Sequence, residues 1–281
     1  MESYNYWLSP NKLANFIFSN RSSYNITNLI VKETIDYSIS IRQLNTHEVP
    51  TGLILDKWTM QKREKNNYEI ITSFKIINNQ SKKIAETLRS KIIEKKMEIL
   101  MPFDNLHLIG NDLCFFSLIE DNSLTIRCSS FLMNEILYLF CGRSGSGKST
   151  MIRSALENFG ENITIVSDDH LTIKLCNNSI EAITPFWDDI NLKGTGKKVK
   201  ATKMVLFFLE DSSTEIKNIK ESFSKISFII KHCVLFAFAE LVTTKIMMIV
   251  EDLVKSYEVY TCPLENSKQI LDFIKQSDIH E

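Results

Sequence analysis

The sequence predicts an α/β protein in two parts, a smaller α+β unit over residues 1–100 and a larger unit built round a glycine-rich loop over residues 101–281. Three observations carry this expectation. Runs rich in β-branched and aromatic residues read as strands on both sides of the division. A charged stretch with a single apolar stripe closes the first part. Three of only eight glycines fall at Gly142, Gly145 and Gly147, directly after an apolar strand and directly before a helical run.

In the first part, residues 26–41 and 68–76 read as strands. Residues 82–100 place Ile84, Leu88, Ile92, Ile93, Met97 and Leu100 at intervals of mostly three to four, which predicts a basic amphipathic helix with its lysines in solvent. Pro102 cannot continue such a helix, so the boundary is expected between residues 95 and 105. Neither a low-complexity linker nor an internal repeat marks it.

In the second part, residues 113–119 and 123–128 read as short strands joined at Asp121-Asn122, and residues 136–141 as the strand that leads into the glycines. A helix is expected from Lys148 to Phe159, with Gly160 as a left-handed cap. Residues 163–167 form an apolar strand ending in Asp168-Asp169, and residues 171–176 and 180–184 a hairpin across Asn177-Asn178. Residues 204–209 read as a strand, residues 226–250 as one buried helix, and the chain closes with a strand at 259–264 and a last helix.

The loop Gly142-Arg143-Ser144-Gly145-Ser146-Gly147-Lys148-Ser149 fits G-x-x-x-x-G-K-S/T in the strand-to-helix context that gives this pattern its meaning. Glycines let backbone N–H groups wrap a phosphate, and the helix N-terminus adds its dipole. Lys148 would reach the β/γ oxygens, Ser149 would ligate Mg2+, and Thr150 opens the helix beside them. The chemistry predicted is binding of a nucleoside triphosphate with magnesium. Thr243-Thr244-Lys245-Ile246 lacks the acid of an N/T-K-x-D guanine reader, which disfavours a GTP switch.

An apolar strand that ends in acids beside such a loop is where a metal-binding carboxylate is expected. Asp168 and Asp169 supply two, so one can hold magnesium while the other takes a proton from an attacking hydroxyl. The competing reading is an Asp-Asp turn at the head of the hairpin.

Composition narrows the partners. With 33 basic and 34 acidic residues, no global field favours nucleic acid or an anionic membrane surface. Lys231, His232, Glu240 and Lys245 interrupt the most apolar stretch before it could span a bilayer. The six cysteines are scattered without zinc-site spacing, and the N-terminus lacks a signal-peptide pattern, so reduced thiols and a cytoplasmic location are the expectation.

The run C-G-R-S-G-S-G-K-S-T, the closely following V-S-D-D and then T-P-F-W-D-D resemble the catalytic domain of HPr kinase/phosphorylase and its relatives, which share a core with ATP-dependent phosphoenolpyruvate carboxykinases. The likeness covers roughly residues 105–275. It implies an HPr-kinase-like P-loop nucleotide-binding domain that phosphorylates a serine on a small protein or peptide, using ATP and Mg2+. By position it implies Lys148 on the phosphates, Ser149 and Asp169 on the metal and Asp168 as general base. Small relatives act as peptide serine kinases in clusters that make modified peptides, and they often assemble, so a homo-oligomer follows from the resemblance alone. The His-Gly pair that the family carries before the loop is here Arg127-Cys128, which speaks against the phosphorylase activity. A missing glycine- and arginine-rich segment beyond the aspartates speaks against HPr itself as acceptor. The first part would then recognise the acceptor.

Further candidates are weaker. Residues 193–200 form a basic, glycine-containing loop that could close over phosphates or simply be solvated. Arg143 and Arg153 flank the phosphate loop and would pair with anionic oxygens or with surface acids. His170 beside the aspartates is a second candidate proton carrier, and Trp187 next to Phe186 a candidate for the edge of the site.

Overall fold

A computed structural model describes residues 2–9, 12–19, 37–43, 53–63, 67–77, 83–93, 96–101, 121–185, 198–234, 240–264 and 266–277, together with Cys114 and Leu118. It is mixed α/β, dominated by two sheets.

The first sheet holds β1 (Glu2–Ser9), β2 (Lys12–Ser19), β3 (Tyr37–Gln43), β4 (Leu53–Arg63), β5 (Asn67–Ile77), β6 (Lys83–Ile93) and β7 (Lys96–Met101), in the order β1-β2-β3-β7-β6-β5-β4. β3 runs parallel to both β2 and β7, and the remaining neighbours are antiparallel. The helix expected over residues 82–100 is therefore corrected to β6 and β7. The reason lies in the spacing. Ile84, Leu88 and Ile92 are four apart, an interval that keeps residues on one helix face and equally on one strand face. Pairing of β6 with β5 over ten residues and with β7 over five decides between the two. The described residues of the α+β unit are thus all strand; β5 contains the predicted strand at 68–76, and β3 overlaps the end of the one at 26–41, whose earlier residues lie outside the described ones.

The second sheet holds β8 (Leu124–Met133), β9 (Ile136–Cys141), β10 (Thr164–Ser167), β11 (His170–Cys176), β12 (Ser179–Ile183), β13 (Lys198–Ala201), β14 (Lys203–Glu210), β15 (Lys217–Asn218) and β16 (Glu258–Pro263). Its order is β13-β12-β11-β8-β9-β14-β16-β15, with β10 also on β8. The centre, β9-β14-β16, is parallel, so those three strands end on the same side. The helices are α1 (Lys148–Phe159), α2 (Ser222–His232), α3 (Glu240–Ser256) and α4 (Ser267–Ser277).

Alternation along β14 explains the layering, since successive side chains of a strand point to opposite faces. Phe207 packs among Phe140, Tyr260 and Phe273, on the face that carries α1 and α4. Phe208 meets Phe228 and His232 of α2 at ring distances of 5.1 and 5.0 Å, on the other face. Helix α1 contributes Met151, Ile152 and Ala155 to the core, a stripe at helical spacing below Lys148. Truncating a buried aromatic of this kind costs about 3–5 kcal/mol.

Three other expectations change. Cys114 and Leu118 are helical, not strand, and Asp121 is likewise helical, buried against Lys174 and Ser123 instead of turning a hairpin. Residues 226–250 do not form one helix: α2 stops at His232, and Cys233 turns extended (φ −67°, ψ 139°) to bridge Ile126 of β8. Gly160 ends α1 with φ 57° but ψ −125°, outside the left-handed helical region and open only to glycine. The Asn177-Asn178 hairpin and α1 stand as the sequence predicts. None of the described helices is long and apolar enough to cross a membrane.

Candidate functional site

The loop 142–149 leaves β9 at Cys141 and enters α1 at Lys148. Its glycines answer two needs. Gly145 (φ 79°) and Gly147 (φ 85°, ψ 12°) turn the chain through left-handed conformations, while a Cβ on Gly142 would lie 2.4 Å from Ser146 Oγ and 3.3 Å from the Leu209 carbonyl oxygen. The turn is closed by Ser146 N–H donating to Arg143 O at 3.1 Å and Met151 N–H to Gly147 O at 2.8 Å. Lys148 is buried and folds back, its Nζ donating to Gly142 O at 3.0 Å and Arg143 O at 2.9 Å. Burial first, then the Arg127 guanidinium, lowers its pKa, against the opposing pull of Asp169 and of Cys141 and Cys128.

β8 organises the other half. Its edge carries β11 beside Leu124–Arg127 and β10 beside Ser130–Leu132. Ser167 faces Ser130 and His170 faces Arg127, so Asp168 and Asp169 fall opposite Ser129 and Cys128. Ser129 Oγ donates to Asp168 O at 2.6 Å and lies 3.1 Å from Asp168 Oδ1; Cys128 N–H donates to Asp169 O at 2.9 Å. The Asp169 carboxylate is gripped from two sides, by Arg127 Nε and by His170 Nδ1, each at 3.2 Å.

One cavity of about 460 Å³ gathers Ser144, Gly145, Gly147, Lys148, Ser149, Thr150, Asp168, Asp169 and Arg127. The two sequence-distant clusters are thereby brought together. Ser146 is buried beneath the loop, and its hydroxyl is the one buried side-chain polar atom among the described residues with no hydrogen-bond partner. Gly142 and Arg143 line a neighbouring cavity of about 680 Å³, and the Arg143 guanidinium pairs with Asp211 at 2.7 Å. Arg153 is exposed on α1, away from both cavities. Phe186, Trp187 and residues 193–197 lie outside the described residues, and Lys198, Val199 and Lys200 belong to β13.

Some residues of the site were not singled out from the sequence. Glu210 ends β14, the parallel neighbour of β9, and Asp211 follows it, so both stand beside the loop. The signal was present, an apolar strand closed by two acids, as in the run before Asp168. Arg127 entered only as a departure from a family pattern, yet it lines both cavities. Lys231 and His232 line the larger one because α2 stops there. The His232 ring sits against Phe208 with Nδ1 2.9 Å from Phe228 O; burial lowers its pKa, and the carbonyl contact only partly offsets that.

Fold and site together define a mixed α/β protein whose glycine-rich loop fits a phosphate: a buried lysine, a helix N-terminus, an orphaned hydroxyl and a glycine whose Cβ space is needed by the loop itself. Magnesium fits beside it, since a phosphate-bound ion takes only one or two protein oxygens, which Ser149 and the aspartates can supply. Among the described residues no group of three or more His, Cys, Asp or Glu forms a metal site of its own.

No family model matches the chain, and no curated protein matches it. Among solved structures, the HPr(Ser) kinase/phosphatase from Coxiella burnetii aligns with 55% of this chain and 98% of its own, at 10% identity and a TM-score of 0.31.

Proposed function

We propose that the chain is an ATP- and Mg2+-dependent phosphotransferase that moves a γ-phosphoryl group to the serine hydroxyl of a small protein or peptide. The observation that carries this reading is the cavity of about 460 Å³ in which Lys148, Ser149, Asp168 and Asp169 meet. Lys148 and the loop N–H groups hold the phosphates, and Ser149 with Asp169 would hold magnesium, which would supply positive charge to offset that of the phosphates. Asp168 is the general base: Ser129 fixes its Oδ1, which leaves Oδ2 for the acceptor proton. The acceptor oxygen bonds to the γ-phosphorus, the bond from phosphorus to the ADP oxygen breaks, and the hydroxyl proton goes to Asp168.

The acceptor enters through the adjoining cavity of about 680 Å³, whose lining includes the apolar Phe208, Leu209 and Val234 and the charged Glu210 and Lys231. Residues 1–100 recognise the remainder of the acceptor in this reading. That cavity volume also suits a compact small molecule, which is the second reading.

Incubation of the full chain with γ-labelled ATP, magnesium and a panel of serine-containing peptides, small proteins including HPr, and hydroxylated metabolites tests it. Label on a peptide or protein, lost in Lys148→Ala, is the expected result. Label on metabolites alone selects the second reading, and nucleotide binding with no labelled acceptor makes the chain a nucleotide sensor.

A further inference from the structure

We infer that Arg127 is a catalytic residue of phosphoryl transfer, its guanidinium meeting the phosphoryl group at the wall between the two cavities. The inference rests on the phosphotransferase reading above and adds to it a cation that the loop and the aspartates do not provide.

The backbone explains why an arginine stands there. On one side of β8, Arg127 is paired with His170. On the other, β9 ends at Cys141 opposite Cys128, and the next partner is Cys233 opposite Ile126. The loop 142–149 departs through the gap between these two pairings, and Arg127 is the β8 residue left at that gap. Its side chain is 47% exposed and lines the phosphate cavity together with the larger one, the only one of the described residues common to both linings.

The side chain is anchored without being used up. Nε lies 3.2 Å from Asp169 Oδ1, while no contact among the described residues engages the two terminal nitrogens. Those nitrogens form the planar fork that meets two oxygens of a phosphoryl group at once. The pull of Arg127 on Lys148 places both cations in one field, an arrangement that an incoming phosphoanion relieves. Charge on the equatorial oxygens is redistributed as the phosphoryl group moves, so a cation at the cavity wall stabilises the transfer more than the bound ATP. Arg127 exchanges no proton in this step.

Titration of the full chain with Mg·ATP, and with Mg·ADP plus aluminium fluoride as a mimic of the group in flight, separates the roles. Wild type is expected to bind the aluminium fluoride complex more tightly than Mg·ADP. Arg127→Gln should lose about 100-fold of that affinity, while Mg·ATP affinity shifts by no more than about 3-fold, the change expected from uniform binding alone. Arg127→Lys, which keeps the charge and loses the fork, should fall between them and serves if the glutamine variant does not fold. Equal losses for ATP and for the aluminium fluoride complex, or no loss for either, would overturn the role of Arg127 and leave the kinase reading intact. Failure of wild type to bind Mg·ATP at all would remove the reading on which the inference rests.

Discussion

The ammonium of Lys148 lies 3.0 Å from the carbonyl oxygen of Gly142, so the lysine that opens α1 is folded back across the loop that precedes it. A bound phosphate would exchange carbonyl dipoles for full negative charge. Lys148→Ala is expected to weaken Mg·ATP binding by about 10- to 100-fold, the equivalent of about 1.5–3 kcal/mol for charged hydrogen bonds. Because burial and Arg127 hold the lysine pKa below 10.5 in the free protein, an anion that raises it should cause proton uptake at alkaline pH below that value. Calorimetric titration in buffers of different ionisation enthalpy measures both, and equal heats across buffers would refute the uptake.

The glycines of the loop should separate in their response to alanine. Gly142→Ala drives a Cβ to within 2.4 Å of Ser146 Oγ and 3.3 Å of a fixed backbone oxygen, whereas a Cβ on Gly145 meets nothing within 4 Å but sits at φ 79°. Gly145→Ala should cost about 1–2 kcal/mol, the penalty of one left-handed residue. Gly142→Ala should cost about 1–3 kcal/mol, through a shifted loop, and should also damage nucleotide binding. Urea unfolding with parallel binding titrations compares them; a Gly142→Ala protein that binds normally would show that the close approach has no functional weight.

Asp168 and Ser129 form one unit, because the serine hydroxyl bonds both the carbonyl and the carboxylate of the aspartate. Asp168→Asn should abolish transfer with nucleotide affinity largely kept. Ser129→Ala, which frees the carboxylate without removing it, should lower turnover by about 10-fold, one hydrogen bond's worth of positioning. Steady-state rates with the acceptor found by labelling decide the matter. Unchanged turnover in Asp168→Asn would take the base role from this residue.

His232 makes stability depend on pH. Its pKa is lowered from 6.5 chiefly by burial, so between that value and the folded pKa the unfolded chain binds a proton that the folded chain refuses. This contribution is complete above pH 6.5 and is lost as pH falls through the window. His232→Gln should therefore show a smaller drop in melting temperature between about pH 7.5 and pH 5.5 than wild type. Identical drops in the two proteins would mean that His232 is not the group responsible.

Residues 142–159 were legible from sequence because their meaning is local. Strand, glycines, lysine and helix are contiguous, and the conformations that Gly145 and Gly147 need are a property of the backbone alone. The hairpin across Asn177-Asn178 was readable for the same reason. Residues 82–100 were misread because an interval of four satisfies both helical and strand periods, and only pairing with β5 chooses between them. Residues 226–250 were misread because hydrophobicity does not announce a break whose purpose is to place Cys233 against β8.

By itself, then, the sequence determined that a phosphate-sized loop exists, that lysine and serine stand at its end and that two acids close a nearby strand. Tertiary structure alone decided that those acids face the loop, since β8 must lie between β9 and β11 for Asp168 and Lys148 to share a cavity. It also decided the place of Arg127, which no motif marks. The physical reason is that a side chain's neighbours across a sheet are fixed by strand order and register, and those are settled by burial of apolar faces distributed along the whole chain.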